Sequence, residues 1–161
     1  MKQIMIVWVL AVFGLSCFTA TPAFSQNKVK PIDAVGIKHI IENKECPLAI
    51  VATAAWCAPC RSELPILNSI HEEYRDKGLL LIAISLDVGG PEDMQRLVDK
   101  LGLTFPVYWG GEKMAFDYNI FGVPTILLVK SGTIVERIIG KRPESFLKEK
   151  ISSFIDSCNS Q

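Results

Sequence analysis

Two short apolar runs on either side of a helical pattern constrain the fold of this 161-residue chain more than any other feature. The first run is Leu48–Ala52 and the second is Leu79–Leu86, and each suits a strand that is buried on both faces. Between about residues 58 and 77, apolar residues recur at helical spacing, and Gly78 supplies a stop. A strand, a helix and a strand in this order predict a βαβ unit with parallel strands and a right-handed crossover.

The rest of the chain adds elements on both sides of this unit. An amphipathic pattern follows Asp33, which can cap a helix, and another begins at Pro143. An extra helix and strand come after the second apolar run, and a strand hairpin precedes the last helix. These four elements are predicted over residues 91–101, 105–108, 126–129 and 134–139. The order predicts an α/β fold in which a mixed sheet lies between layers of helices.

The first 25 residues differ in composition from the rest. Lys2 is the only charged residue before Lys28, Ile4–Phe18 is almost wholly apolar, and small residues follow. These features are typical of a secretory signal peptide, with cleavage before Gln26. A membrane anchor is the alternative, although the apolar run is short for a bilayer span of ~20 residues. Lipid modification of Cys17 is a third possibility, but the residues before it fit poorly.

Each of these routes exports the protein. We therefore predict a signal peptide or membrane anchor over residues 1–25, a tether over residues 26–32 and one domain over residues 33–161. The predicted location is the periplasm or the extracytoplasmic face of the membrane, where disulfides can persist. Membrane contact is expected only through the N-terminal segment, if it stays uncleaved.

Composition and charge argue against several classes of function. The 17 basic and 17 acidic residues balance, which argues against nucleic-acid binding through a basic face. Hydrophobic residues make up 49% of the chain, enough for a core. His39 and His71 are isolated and no further ligand is spaced for zinc, so we predict neither a metal site nor a cofactor.

Cys57 and Cys60 lie at the junction between the first apolar strand and the long helix. At a helix N-terminus, unsatisfied N–H groups and the positive end of the helix dipole favour a thiolate. Pro59 is tolerated in the first turn, and Trp56 brings an aromatic face beside the sulfur. This placement predicts a redox-active pair rather than an inert disulfide.

The segments Trp56–Cys60 and Gly122–Thr125 resemble the thioredoxin superfamily. Arg61–Pro65 and the extra helix and strand are similar to the exported TlpA/ResA-like branch. The resemblance extends from about residue 33 to residue 158. It implies a thioredoxin-like three-layer α/β/α sandwich, with a mixed sheet and an αβ insertion.

The resemblance also implies roles for individual residues. Cys57 would be the nucleophile and Cys60 the resolving thiol, while Glu63 would accept or relay a proton. A solvated Glu63 near Arg61 is the alternative. Substrate-binding residues would be Trp56, Pro59, Val123 and Pro124, with a cis Val123–Pro124 bond. One departure is Val51, which stands where cytosolic thioredoxins carry a buried aspartate.

These roles imply an exported thiol-disulfide oxidoreductase that reduces protein disulfides. Its partners would be protein disulfide or dithiol clients and a membrane electron donor, and the associated client process is cytochrome c maturation. One alternative is a thioredoxin-fold peroxidase, but the P-x-x-x-T/S-x-x-C setting that peroxiredoxins need is absent. The other is a metal or haem carrier that uses the same cysteines.

The remaining cysteines and aromatic residues carry weaker signals. Export makes a structural disulfide between Cys46 and Cys158 conceivable, and two separate buried thiols are the alternative. We expect Trp109, Phe116 and Phe121 to serve packing rather than binding, while leaving open that Phe121 borders an active-site groove.

Overall fold

The computed structural model describes residues 27–44 and 47–160, and within them six strands form one sheet with five helices around it. The predicted leader, residues 1–25, lies outside the described residues. The strands are β1 (Lys30–Pro31), β2 (Leu48–Thr53), β3 (Leu80–Ser85), β4 (Val107–Trp109), β5 (Thr125–Lys130) and β6 (Thr133–Ile139). The helices are α1 (Ala34–Asn43), α2 (Ala58–Tyr74), α3 (Glu92–Leu101), α4 (Lys113–Asp117) and α5 (Glu144–Asn159).

The sheet is mixed, with the strand order β1-β4-β3-β2-β5-β6. β2 pairs in parallel with β3, and β3 in parallel with β4, whereas β5 runs antiparallel to both β2 and β6. The predicted βαβ unit and the strand hairpin are therefore confirmed. All six residues of β2 are buried because helices cover both faces of this central strand.

Alternate side chains of β2 enter two separate cores. Ala49 and Val51 pack with apolar residues of α2, α3 and α5 on one face of the sheet. Leu48 and Ile50 pack with residues of α1 and α4 on the other face. The predicted three-layer α/β/α sandwich is thus confirmed, and it follows from the two-residue period of a strand.

The insertion formed by α3 and β4 is part of the main core. Phe105, between these two elements, is fully buried and packs with residues of α2. Its ring meets the ring of His71 edge to face, with 5.9 Å between the centroids. The insertion is therefore locked to the face of α2 that points away from solvent.

The segment expected as a tether is packed against the domain over the part that the structure describes. Val29 is buried, and β1 pairs in parallel with β4. The Asn27 side-chain amide donates to the carbonyls of Leu103 and Phe105 at 2.9 and 2.6 Å. Residues 27–32 are therefore not a free tether. They pack here because β4 would otherwise lie at the edge of the sheet with unpaired main-chain groups, and β1 forms hydrogen bonds with them.

Asp33 caps α1 as predicted, since its carboxylate accepts a hydrogen bond from the Gly36 N–H at 2.8 Å. Across residues 27–44 and 47–160, none of the helices has the length and apolar character needed to cross a membrane.

Candidate active site

The cysteine pair lies at the carboxyl end of the central strand, where β2 passes into α2. Cys57 is the N-cap of α2, and its Sγ accepts from the Cys60 N–H at 3.2 Å. Cys57 and Cys60 form a disulfide and are almost fully buried. The helix N-terminus that faces Cys57 Sγ supplies the donor and the dipole that stabilise a thiolate when the bond opens.

A loop before β5 brings a second predicted segment against the disulfide. The Val123–Pro124 bond is cis, as the resemblance implies. Cys57 Sγ lies 3.6 Å from the Val123 carbonyl oxygen. Ala54, Cys57 and Cys60 form a small apolar cluster against which Val123 packs. The structure therefore brings Cys57, Cys60, Val123 and Pro124 together, although 63 or more residues separate the two segments in the chain.

An exposed aromatic rim borders an open cleft of about 430 Å³ on one side of this pair. Trp56 is 66% exposed, and Pro59 is also exposed. Phe116 and Phe121 line the same cleft with 80% and 93% of their surface exposed. The expectation that Phe116 serves packing is therefore wrong, whereas Phe121 follows the alternative that it borders a groove beside the site, because the short α4 and the loop after it turn both rings outward.

Trp109 packs as expected. Its indole N–H donates to the Asp87 carbonyl at 2.8 Å, and its ring lies against the core on the α2 side of the sheet. This bond joins the end of β4 to the loop that follows β3.

Glu63 is a buried carboxyl group on α2, three residues after Cys60. Its Oε1 accepts from the Arg142 N–H at 2.8 Å, whereas Oε2 has no hydrogen-bond partner among the described residues. Desolvation raises the pKa of Glu63, although the Arg142 bond and the charges of Lys141 and Arg142 oppose the rise. The alternative of a solvated Glu63 is thus contradicted, and the carboxyl can hold a proton at a higher pH than an exposed one.

At pH 7, the Glu63→Gln variant should have a larger free energy of unfolding than the native protein. A raised folded-state pKa means that the folded chain binds the Glu63 proton more tightly than the unfolded chain does. The native protein therefore loses stability as the pH rises from about 4.5 through the folded-state pKa, and Gln cannot lose a proton there. Urea unfolding across this pH range should show the two proteins converging at low pH.

The matched control is Glu73→Gln on the same helix. Glu73 is exposed at the surface, and its hydrogen bond to Lys148 lowers its pKa. That replacement should not stabilise the protein at pH 7. If the free energy of unfolding of Glu63→Gln changed with pH as much as that of the native protein, burial of Glu63 would not be the cause of that change.

Asp87 is a site residue that the sequence analysis missed. It lies two residues after the end of β3, is 2% exposed, and accepts a hydrogen bond from the N–H of Ala55, two residues before Cys57. Its position after the second apolar strand could have indicated this role. The carboxyl ends of the parallel strands β2 and β3 meet at one edge of the sheet, so residues that follow the two strands lie close together.

The cysteine at the end of α5 is part of a disulfide. Cys158 is disulfide-bonded, which excludes the alternative of a separate buried thiol at this position. Cys46 lies outside the described residues, so the Cys46–Cys158 bridge stays a prediction that peptide mapping of the unreduced protein would check. No group of three or more His, Cys, Asp or Glu side chains in ranges 27–44 and 47–160 could hold a metal ion.

The chain matches one family model and is similar in sequence to thiol-disulfide oxidoreductases. The model of the AhpC/TSA family matches residues 18–138. The thiol-disulfide oxidoreductase ResA of Bacillus thuringiensis is 35% identical over 95 residues, which cover 58% of this chain and 54% of that protein. The chain thus spans about half the length of such curated relatives. ResA of Geobacillus thermodenitrificans is 24% identical over 165 residues, covering 95% of this chain and 94% of that protein.

Solved structures show the same fold. The crystal structure of StoA from Bacillus subtilis has a TM-score of 0.60 and 26% identity, covering 68% of this chain and 84% of that one. A thiol:disulfide interchange protein DsbE from Chlorobium tepidum has a TM-score of 0.64 and 24% identity, covering 70% of this chain and 82% of that one.

Proposed function

This chain belongs to the AhpC/TSA family, with ResA proteins among its relatives, and we propose that it is an exported thiol-disulfide oxidoreductase that reduces protein disulfides. The observation that carries the proposal is the Cys57–Cys60 disulfide at the N-terminus of α2, next to the Val123 carbonyl. An inert disulfide needs neither a helix N-terminus nor an open aromatic rim beside it.

The reaction begins with the reduced pair. The Cys57 thiolate attacks one sulfur of the client disulfide, forms a mixed disulfide, and releases the other client sulfur as a thiolate that takes a proton. Cys60 then loses its proton and attacks Cys57 Sγ, which releases the second client thiol. Two electrons have passed to the client, and the Cys57–Cys60 bond has formed.

Glu63 is the proposed proton acceptor for the second step. It lies on the same helix as Cys60, and its Oε2 is free of hydrogen bonds among the described residues. A buried carboxyl whose pKa is raised is a stronger base than an exposed one, so it suits proton transfer from a thiol.

The cleft beside the pair supports an extended polypeptide as the substrate. The main chain of Val123 lies next to Cys57, so a client strand could pair with it while its sulfur reaches Cys57. Apolar client side chains would then contact Trp56, Phe116 and Phe121. A cleft with these exposed rings suits a protein client better than a small polar disulfide.

The protein would act outside the cytoplasm and would receive its electrons from the membrane. Export would place the protein on the extracytoplasmic side, where a membrane donor has to return two electrons and two protons to the oxidised pair after each cycle. Cytochrome c maturation is the client process that we propose from the resemblance to the TlpA/ResA-like branch.

The reduction potential of the Cys57–Cys60 pair in the purified full chain tests the direction of the reaction. A reductase should equilibrate near the thioredoxin value of about −270 mV, whereas a strong oxidant would lie near about −120 mV. The double variant Cys57→Ser/Cys60→Ser is the control, because any remaining redox signal belongs to the other cysteines. A value at the oxidising end would overturn the proposed direction.

A further inference from the structure

A buried carboxylate lies directly behind the loop that carries Cys57. Both oxygens of Asp87 accept from the Ala55 N–H, at 2.9 and 3.0 Å. The Ser85 hydroxyl donates to Asp87 Oδ2 at 2.6 Å and accepts from the Asp87 N–H at 3.2 Å. Ser85, the last residue of β3, thus holds the Asp87 side chain in one orientation, in which both carboxylate oxygens face the Ala55 N–H.

The main-chain carbonyl oxygen of Ala55 is also hydrogen-bonded. Arg61, in the first turns of α2, donates from Nη1 to the Ala55 carbonyl at 2.9 Å. The Cys57 N–H closes the turn by donating to the Ala54 carbonyl at 3.2 Å. The residues between β2 and Cys57 are therefore attached to β3 on one side and to α2 on the other.

We propose that Asp87 is a positioning residue for Cys57, which acts through the Ala55 main chain to hold Cys57 Sγ at the N-terminus of α2. This inference rests on the proposed function, in which Cys57 is the attacking thiol. The thiolate gains stability only while its sulfur stays within reach of the Cys60 N–H, now 3.2 Å away. A loop free to turn would lose that contact.

Position and charge predict opposite results for Asp87→Ala. Removing a carboxylate close to Cys57 would, through charge alone, favour the thiolate and lower the pH at which Cys57 becomes reactive. Losing the hold on Ala55 would instead weaken the contact with the helix N-terminus and raise that pH. The sign of the change therefore separates the two accounts.

The experiment measures the alkylation rate of reduced Cys57 by iodoacetamide as a function of pH, in full-length protein that also carries Cys60→Ser. Asp87→Ala should raise the midpoint by about half a pH unit or more, and lower the rate at pH 7 by about threefold. Asp87→Asn should not raise it, because the Asn side-chain oxygen can still accept from Ala55. A general loss of stability would lower the melting temperature without moving this midpoint.

Asp93→Asn is the matched control for charge. Asp93 borders the same cavity of about 360 Å³ as Asp87 and Trp56, and it pairs with Arg96. Within the part of the chain that the structure describes, it makes no hydrogen bond to the active-site loop. Its midpoint should match or fall below that of the native protein. If Asp87→Ala does not fold, Asp87→Ser replaces it, because a hydroxyl one bond shorter can pair with Ser85 without reaching Ala55.

Two results would overturn the inference. One is a midpoint that stays the same or falls in Asp87→Ala, and the other is an Asp87→Asn midpoint as high as that of Asp87→Ala. If the native protein reduces client disulfides, either result refutes only the role of Asp87 and leaves the proposed function in place. A native protein that reduces no disulfide refutes the proposed function itself.

Discussion

Cys60→Ser should stop the reaction after its first step and leave clients covalently attached to Cys57. The first attack needs only the Cys57 thiolate at the N-terminus of α2, whereas release needs a second sulfur held beside it. Losing this intramolecular thiol should lower multiple-turnover client reduction by about a thousandfold or more. The adducts should be visible as mixed disulfides on non-reducing gels and should disappear with dithiothreitol.

Cys57→Ser is the matched control for this trap. Cys60 lies one turn inside α2, whereas Cys57 is the N-cap whose sulfur faces the helix N-terminus, so Cys60 should capture few clients when it is the remaining thiol of the pair. Equal trapping by the two variants would contradict the assignment of Cys57 as the attacking residue. A folded Cys60→Ser variant that traps no client would contradict the exchange mechanism.

Phe105→Ala should cause the largest loss of stability among single side-chain truncations outside the cysteine pair. Phe105 is fully buried, and its ring joins the α3–β4 insertion to α2 through His71. Removing a buried Phe ring costs about 3–5 kcal/mol through lost burial and the cavity that remains. Urea unfolding of the oxidised protein, analysed as a change in midpoint at constant slope, measures this loss.

Phe116→Ala provides the comparison, because it deletes the same ring from an 80% exposed position. Its effect on the free energy of unfolding should stay within about 0.5 kcal/mol. Similar losses for the two variants would mean that the insertion does not share the core of α2.

The central βαβ unit was predictable because each of its parts carries a local signal. The Leu48–Ala52 run is apolar at every position, the helix that follows has its own period, and the cysteine pair lies between them. Glu63 illustrates where local signals end. Its burial depends on a loop 79 residues away, whose Arg142 N–H is the hydrogen-bond partner, so the sequence left both a buried and a solvated carboxyl open.

Other parts of the site were not predictable for similar reasons. An aromatic residue is apolar whether it lies inside or outside, so nothing local distinguished the exposed Phe121 from the buried Phe105. The bond between Asp87 and Ala55 spans 32 residues and exists because β2 and β3 are neighbours in register. The strand β1 has only two residues, too few to show a period of two in the sequence.

The two-residue strand β1 also decides how one side of the sheet meets other molecules. An open sheet edge presents unpaired main-chain groups to which a strand of another molecule can add. β1 occupies that place beside β4, and its own outer side consists of an exposed Lys30 and an exposed Pro31. Proline has no N–H to donate, and a charged lysine opposes close stacking. The segment expected as a tether therefore protects this margin of the sheet against strand addition and aggregation.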